Sequence, residues 1–382
     1  MKKALLQACA LCVGATGVHA AGLDRSGQGI NLIFEEGSVV QARLGYADPD
    51  ISGSQFAPGL GDVDSGDIAE DFFSPGLGYK RAINETLDFA LIYDQPFGAD
   101  VSYPANYPLS LNPTVLAGLG GRTDVLRADA DFDAITALLR YKFSGGFSAI
   151  GGVRAQRVEA NVAVPAVLGY EVDFSDEIDF GYVVGVAWER PEIAARVSLV
   201  YSSKITHDVS STESFNALAP GAPLITQDTE TEIVSPQSVN LDFQTGVAPK
   251  TLVFGSIRWV DWPQSDVSPP VFTGLPPNSD PLVSFADDTF TYALGVGYQF
   301  SEDFSGALSF GYEKDTGSEV SNLGPTNGFW SVGVGGTYSI EKAQISGGIR
   351  YTDIGDATTT TGGEFSGNSA WSAGLQLTYA LD

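Results

Sequence analysis

The ionisable residues that could do chemistry share a pattern. Arg43, Asp88, Arg140, Arg154, Arg196, Asp242, Arg258, Glu313 and Arg350 all fall on one parity of segments whose residues alternate with a period of two. Ile92, Leu138, Ile150, Val158, Val183, Val200, Leu252 and Phe254 share that parity. Alternate residues of a strand face opposite sides, so both sets point to one interior. An interior with apolar walls and a few guanidinium groups suits an amphipathic ligand, with its tail on the wall and its carboxylate on an arginine. The alternative is structural: each arginine pairs with Asp88, Asp242 or Glu313 and holds the wall. Arg154, Arg258 and Arg350 are the candidate cations, and Ile33, Phe34, Ile92, Leu252 and Phe254 the candidate apolar contacts.

Catalytic chemistry has little support. Apart from His19 near the start, the chain has one histidine, His207, beside Asp208 at the head of a polar stretch. No nucleophile-elbow motif accompanies it, so it is expected to be ordinary loop surface. Asp62-Val63-Asp64-Ser65-Gly66-Asp67 resembles part of a calcium loop but lacks the closing glutamate. Neither a phosphate-binding glycine loop nor a Cys/His zinc set is present. The expectation is a protein that is not an enzyme and has no cofactor and no metal centre.

The elements that would position the interior residues are best seen between Asp288 and Lys314. Phe290, Tyr292, Leu294, Val296, Tyr298 and Phe300 alternate with Thr291, Ala293, Gly295, Gly297 and Gln299. After a tight turn, Phe304, Leu308, Phe310 and Tyr312 alternate with small or polar residues. Arms of about eleven residues with one apolar face and aromatic ends have the pattern of a hairpin that crosses a membrane as part of a β-barrel.

The unit recurs. Strands are predicted near 37–46, 70–82, 85–94, 126–143, 146–163, 178–190, 192–205, 235–247, 250–260, 287–300, 303–313, 328–340, 342–352 and 369–381. Their connections alternate strictly between very short and long, the long ones being 47–69, 95–125, 164–177, 206–234, 261–286, 314–327 and 353–368. A soluble sandwich has no reason to gather its long loops at one end. An outer-membrane barrel does, with short turns in the periplasm, which puts both termini there. The expected fold is all-β, a transmembrane antiparallel barrel of about fourteen strands. Pro113 to Leu119 is expected to form a short helix within one loop.

Residues 1–20 read as a cleaved bacterial signal peptide, with Lys2 and Lys3, an apolar stretch and Val18-His19-Ala20 at the cut. Both cysteines lie inside it, so the mature chain has no thiol. Cleavage takes the formal net charge from −27 to −29, because Lys2 and Lys3 leave with the leader. Such an acidic protein is a poor nucleic-acid partner. Its acidic loops suit contact with lipopolysaccharide through divalent cations. Residues 21–36, with the apolar knot Ile30 to Phe34, would form a short hatch-like segment inside a barrel of residues 37–382.

Several stretches resemble the OmpP1/FadL/TodX family of outer-membrane proteins. They are Ser235-Pro236-Gln237-Ser238-Val239 leading into Val253 to Trp262, Asp287-Asp288-Thr289 leading into Tyr292 to Tyr298, and Phe329 to Gly335. Ser74 to Tyr79 and Gln95-Pro96-Phe97-Gly98 add to the resemblance, which covers nearly all of the mature chain. It implies a fourteen-stranded, monomeric barrel for passive uptake of long-chain fatty acids or other hydrophobic compounds. It also implies capture by outer loops, a luminal site, a movable N-terminal hatch and a lateral exit at a kink in the third strand. That exit would fall at Asp94, Pro96, Phe97 and Gly98, where proline removes a ladder donor; otherwise Pro96 merely begins a loop. The family's longer plug, with its Asn-Pro-Ala-type motif, is missing here. A general diffusion porin and a structural or adhesive barrel remain the alternatives.

Overall fold

In the computed structural model, residues 23–221, 223–275 and 280–381 are described. The expected leader and its cysteines lie outside them. Fourteen strands form the wall: β1 (Val39–Asp50), β2 (Phe72–Ala82), β3 (Leu87–Asp94), β4 (Arg127–Lys142), β5 (Phe147–Val164), β6 (Tyr170–Arg190) and β7 (Ala195–Ser202), then β8 (Ser238–Ala248), β9 (Thr251–Val260), β10 (Thr289–Gln299), β11 (Phe304–Glu313), β12 (Phe329–Ile340), β13 (Ala343–Ile354) and β14 (Asn368–Ala380). Each pairs antiparallel with its neighbours, and β14 closes on β1 from Val39↔Ala380 to Asp50↔Ser369. Closure leaves no free edge, so the wall satisfies its own backbone, as hydrocarbon requires.

Side-chain alternation sets the two faces. Phe290, Leu294, Val296 and Leu308 are 42–55% exposed, facing lipid, while Ser305, Ser309 and Thr337 on the opposite parity are buried. The period-two pattern specifies register as well, since a one-residue slip would put the lipid-facing aromatics inside.

Several expected loops are instead largely strand, among them 47–69, where Gly53–Ala57 pairs with Gly61–Asp64 in a small sheet separate from the wall. The wall hairpin β5–β6 continues to Val164 and resumes at Tyr170. The stretch expected as a loop at 206–234 is a second hairpin, Ile205–Asn216 paired with Leu224–Ser235, docked on β6 through Ser211↔Phe174 to Ser214↔Glu171. Above the membrane no lipid selects large apolar residues, so these strands carry Thr, Ser and Glu and lack the alternation that marks the wall. The expected helix appears as one turn, Pro113–Leu116, N-capped by the Asn112 side chain. His207 is fully buried, with Nδ1 3.1 Å from Asp179, and is not the loop surface expected of it. The hairpin's own pairing is what carries it under cover.

Among the described residues, two large apolar clusters fill the interior. One gathers Ile30, Leu32, Ile33 and Phe34 against Ile92, Leu138, Ile150, Val183 and Val200. The larger one lies towards the long loops and includes Phe97, Phe132, Val158, Phe174, Trp262 and Phe272.

Candidate functional site

The N-terminal segment runs through the lumen and is anchored at both ends. At one end a 3₁₀ turn, Asn31–Phe34, buries Leu32, Ile33 and Phe34. Each such burial is worth about 1.5–3 kcal/mol, enough to hold a turn that has no side-chain cap. The Phe34 ring is flanked by the guanidinium groups of Arg140 at 4.6 Å and Arg196 at 4.5 Å. Nearby, Asp88 takes ion pairs from Lys80 at 3.1 Å and Lys142 at 3.0 Å, and Lys80 also donates to the carbonyl of Gly37.

At the other end the segment is bound to the kink in the wall. The amides of Arg25 and Gly98 donate to the carbonyls of Pro96 and Leu23 respectively, at 2.8 and 2.9 Å. Ser26 donates its hydroxyl to Asp94, which also faces Arg43 at 3.9 Å. A buried polar set surrounds this contact. Arg258 Nε lies 2.6 Å from Asp24 Oδ2, Arg258 also donates to Asn240, and Ser238 donates to Gln28. Arg154 is buried beside it, donating Nε to Thr136 Oγ1 at 2.8 Å.

The kink interrupts the ladder. β2 pairs with β3 only from Leu77↔Tyr93 onward, so Phe72–Gly76 hold to β1 but not to β3. Past Phe97 the chain re-pairs with β4 as Gly98–Ser102. Arg25 occupies the resulting window. Its guanidinium sits 4.2 Å from the Phe72 ring centre and 3.6 Å from the outward-facing Asp131. Burial pulls the Arg25 guanidinium below its ordinary value, and Asp131, Asp100 and Asp129 push it back. Two glycines make the room. A Cβ at Gly98 would lie 2.2 Å from Arg25 Cζ, and one at Gly76 would lie 2.2 Å from Arg43 Nε.

The segment divides the lumen into two unlike chambers. On the side of the long loops lies an apolar one, floored by Leu23 and Phe97 and walled by Phe132, Val158, Phe174, Trp262 and Phe285. Phe97 meets Phe132 and Trp262 edge-on, both at 5.8 Å between centroids. On the other side is a polar space lined by Arg43, Arg196, Asp242, Arg258, Arg350 and Gln376, among others.

The residues proposed from sequence divide accordingly. Arg258, Arg350, Ile92 and Phe254 line the polar space. Ile33 and Phe34 are packed into the wall, Leu252 is fully buried, and Arg154 projects inward from β5 and is held by Thr136 of β4. Of the kink residues, Asp94 and Pro96 bind the N-terminal segment, while Phe97 forms chamber floor. Reading the sequence missed Asp24, Arg25 and the aromatic chamber. Trp262 stood at the end of a recognised motif, but Phe174 and Phe285 lay in stretches taken as loops.

A closed fourteen-strand wall, with an interrupted third strand and an internal N-terminal segment, is the architecture that the resembling stretches implied. Residues 31–380 match the family described as outer membrane protein transport protein (OMPP1/FadL/TodX). The chain belongs to that family. It is 23% identical over 375 residues to a long-chain fatty acid transport protein of Salmonella typhi, covering 88% of this chain and 83% of that one. Among solved structures, a Pseudomonas aeruginosa FadL homologue superposes with a TM-score of 0.71 at 16% identity, over 98% of this chain and 97% of that one. The Pseudomonas putida toluene transporter TodX gives 0.68 at 13% identity, over 97% of each chain. At these identities the structures speak for the fold. The family places this OmpP1/FadL/TodX protein among outer-membrane transport channels for hydrophobic compounds, not among enzymes.

Proposed function

We propose that this protein admits a hydrophobic small molecule, such as a long-chain fatty acid or an aromatic compound, from the outer loops into the apolar chamber and releases it sideways into the membrane at the β3 kink. The observation that carries this reading is the divider itself. Leu23 and Phe97 form the chamber floor, and the same two residues lie at the contact between segment and kink. A shift of residues 23–28 would therefore open the floor and withdraw Arg25 from the window in one movement. The segment is pre-set for such a hinge, because Gly27 and Gln28 both have positive φ between the two anchors.

On this reading residues 1–20 are a leader, residues 21–36 a short hatch and the remainder the barrel. The short turns and both termini face the periplasm. A wall closed on itself needs no partner, which supports a monomer. The acidic loops meet lipopolysaccharide through divalent cations.

The test is a reversible lock. Asp24 and Phe97 face each other as the non-hydrogen-bonded pair of an antiparallel bridge, within disulfide reach at about 4.5 Å between Cα atoms. Asp24→Cys with Phe97→Cys, in a background without Cys9 and Cys12, is reconstituted in vesicles. Uptake of a labelled long-chain fatty acid and of labelled toluene should stop on oxidation and return on reduction. Equal uptake in both redox states would remove the hatch from the path.

A further inference from the structure

The chamber's lining says which hydrophobic molecules it suits. None of the described residues that line it is Asp, Glu, Lys or Arg. The cations that the sequence offered for a carboxylate are elsewhere. Arg258 is paired with Asp24 beneath the floor, and Arg350 lines the polar space on the far side of the divider. A carboxylate carried into the chamber would lose its water and meet no positive charge, which disfavours the ionised form strongly. The rest of the molecule works in the same direction, since a formal net charge of −27 repels anions at its surface.

The lining is not wholly apolar, however. Ser235 and Ser265 both line the chamber, both are at least nine-tenths buried, and both hydroxyl oxygens have no hydrogen-bond partner among the described residues. The other polar groups there are accounted for. Trp262 Nε1 donates to Thr289 Oγ1 at 3.1 Å, and Ser321 Oγ accepts from the amide of Leu323 at 3.2 Å. Buried hydroxyls are rarely left unmet, so these two mark where a ligand atom with a lone pair or an O–H belongs.

We infer that the chamber selects uncharged, ring-sized hydrophobic compounds that carry a neutral oxygen function, such as a phenol or a ketone, over both carboxylates and bare hydrocarbons. The aromatic walls grip the ring by edge-to-face contact, and Ser235 and Ser265 meet the oxygen. This inference rests on the chamber being the binding site proposed above.

Three probes with one skeleton separate the possibilities: 2-naphthol, naphthalene and 2-naphthoate, with laurate as a long-chain comparison. Each is measured at pH 7 by equilibrium dialysis against the detergent-solubilised full barrel at one detergent concentration. Naphthol should bind saturably and about fivefold tighter than naphthalene, the increment of a net hydrogen bond. Naphthoate and laurate should bind at least about thirtyfold more weakly than naphthol. Ser235→Ala with Ser265→Ala should bring naphthol to within about twofold of naphthalene while naphthalene binding stays unchanged, which also reports that the variant is folded. Naphthoate or laurate binding as well as naphthol would overturn the inference and leave the proposed function standing. Equal binding of naphthol and naphthalene to the unaltered protein would also overturn it, by showing that water satisfies the two serines. If no probe binds saturably, the chamber is not a binding site and both readings fall.

Discussion

At the scale of single residues, the interior arginines are where parity was informative and incomplete. Alternation put Arg154 and Arg258 inside, and they are inside. Their neighbour Asp24 belongs to a stretch with no period at all, so nothing in its spacing could announce it. Its position follows from three-dimensional closure: the kinked strand exposes backbone groups at Pro96 and Gly98, and residues 23–26 fill them. Asp24 is then the carboxylate that the buried Arg258 guanidinium faces, at 2.6 Å. Removing one partner of a buried pair leaves an uncompensated charge and costs about 3–5 kcal/mol. Asp24→Ala is therefore expected to free the segment locally. Hydrogen exchange at the amides of Arg25 and Gly98 should accelerate by roughly a hundredfold or more, the equivalent of about 3 kcal/mol. Exchange protection at Ile33, in the other anchor, should stay as it is. Unchanged exchange at Arg25 and Gly98 would mean that the backbone contacts hold the segment without the ion pair.

At the scale of elements, the wall strands were legible because lipid demands a large apolar residue at every second position. The hairpin Ile205–Asn216 and Leu224–Ser235 was not, because it stands clear of the lipid and its buried face mixes Ile205, Val209 and Ile233 with His207, Ser211, Glu213 and Thr231. Glu213 shows what organises that face. It is fully buried and accepts from Tyr170 Oη and Thr229 Oγ1, both at 2.7 Å, and from the amides of Val271 and Phe272 at 3.1 and 3.0 Å. One carboxylate thus ties the β6 end, the outer hairpin and the loop turn Pro270–Gly274 together. Phe272 of that turn belongs to the same buried apolar cluster as Leu282, which lines the chamber. In Glu213→Ala four donors lose their acceptor, each worth about 1–3 kcal/mol when buried and unmet, though not additively. The turn should detach while the wall remains. Limited proteolysis should cut between residues 261 and 286 in the variant and not in the parent, with the rest of the barrel intact. A protected loop in Glu213→Ala would show that the packing of Phe272 on Tyr170, 4.8 Å between ring centroids, is sufficient alone.

At the scale of the whole molecule, strand number and the gathering of long loops at one end were readable because both follow from a closed wall in a bilayer. The division of the lumen was not, because it depends on which way a short aperiodic segment runs after closure. That division makes wall and segment separable in energy. The wall closes through β1 and β14, beginning at Val39↔Ala380, and none of its ladder pairs uses residues 23–34. The segment contributes a floor and an apolar knot, not a strand. Deleting residues 23–34 should leave a barrel that still resists unfolding in detergent and migrates as a compact species before heating. The same deletion joins the apolar chamber to the polar space lined by Arg43, Arg196, Arg258 and Arg350. In planar bilayers the parent should conduct small ions poorly, and the deletion should give a stable open pore. An equally closed deletion variant would move the barrier to the outer loops. A deletion that cannot form the barrel would show instead that the knot of Ile30 to Phe34 against Ile92 and Leu138 is needed before the wall can close.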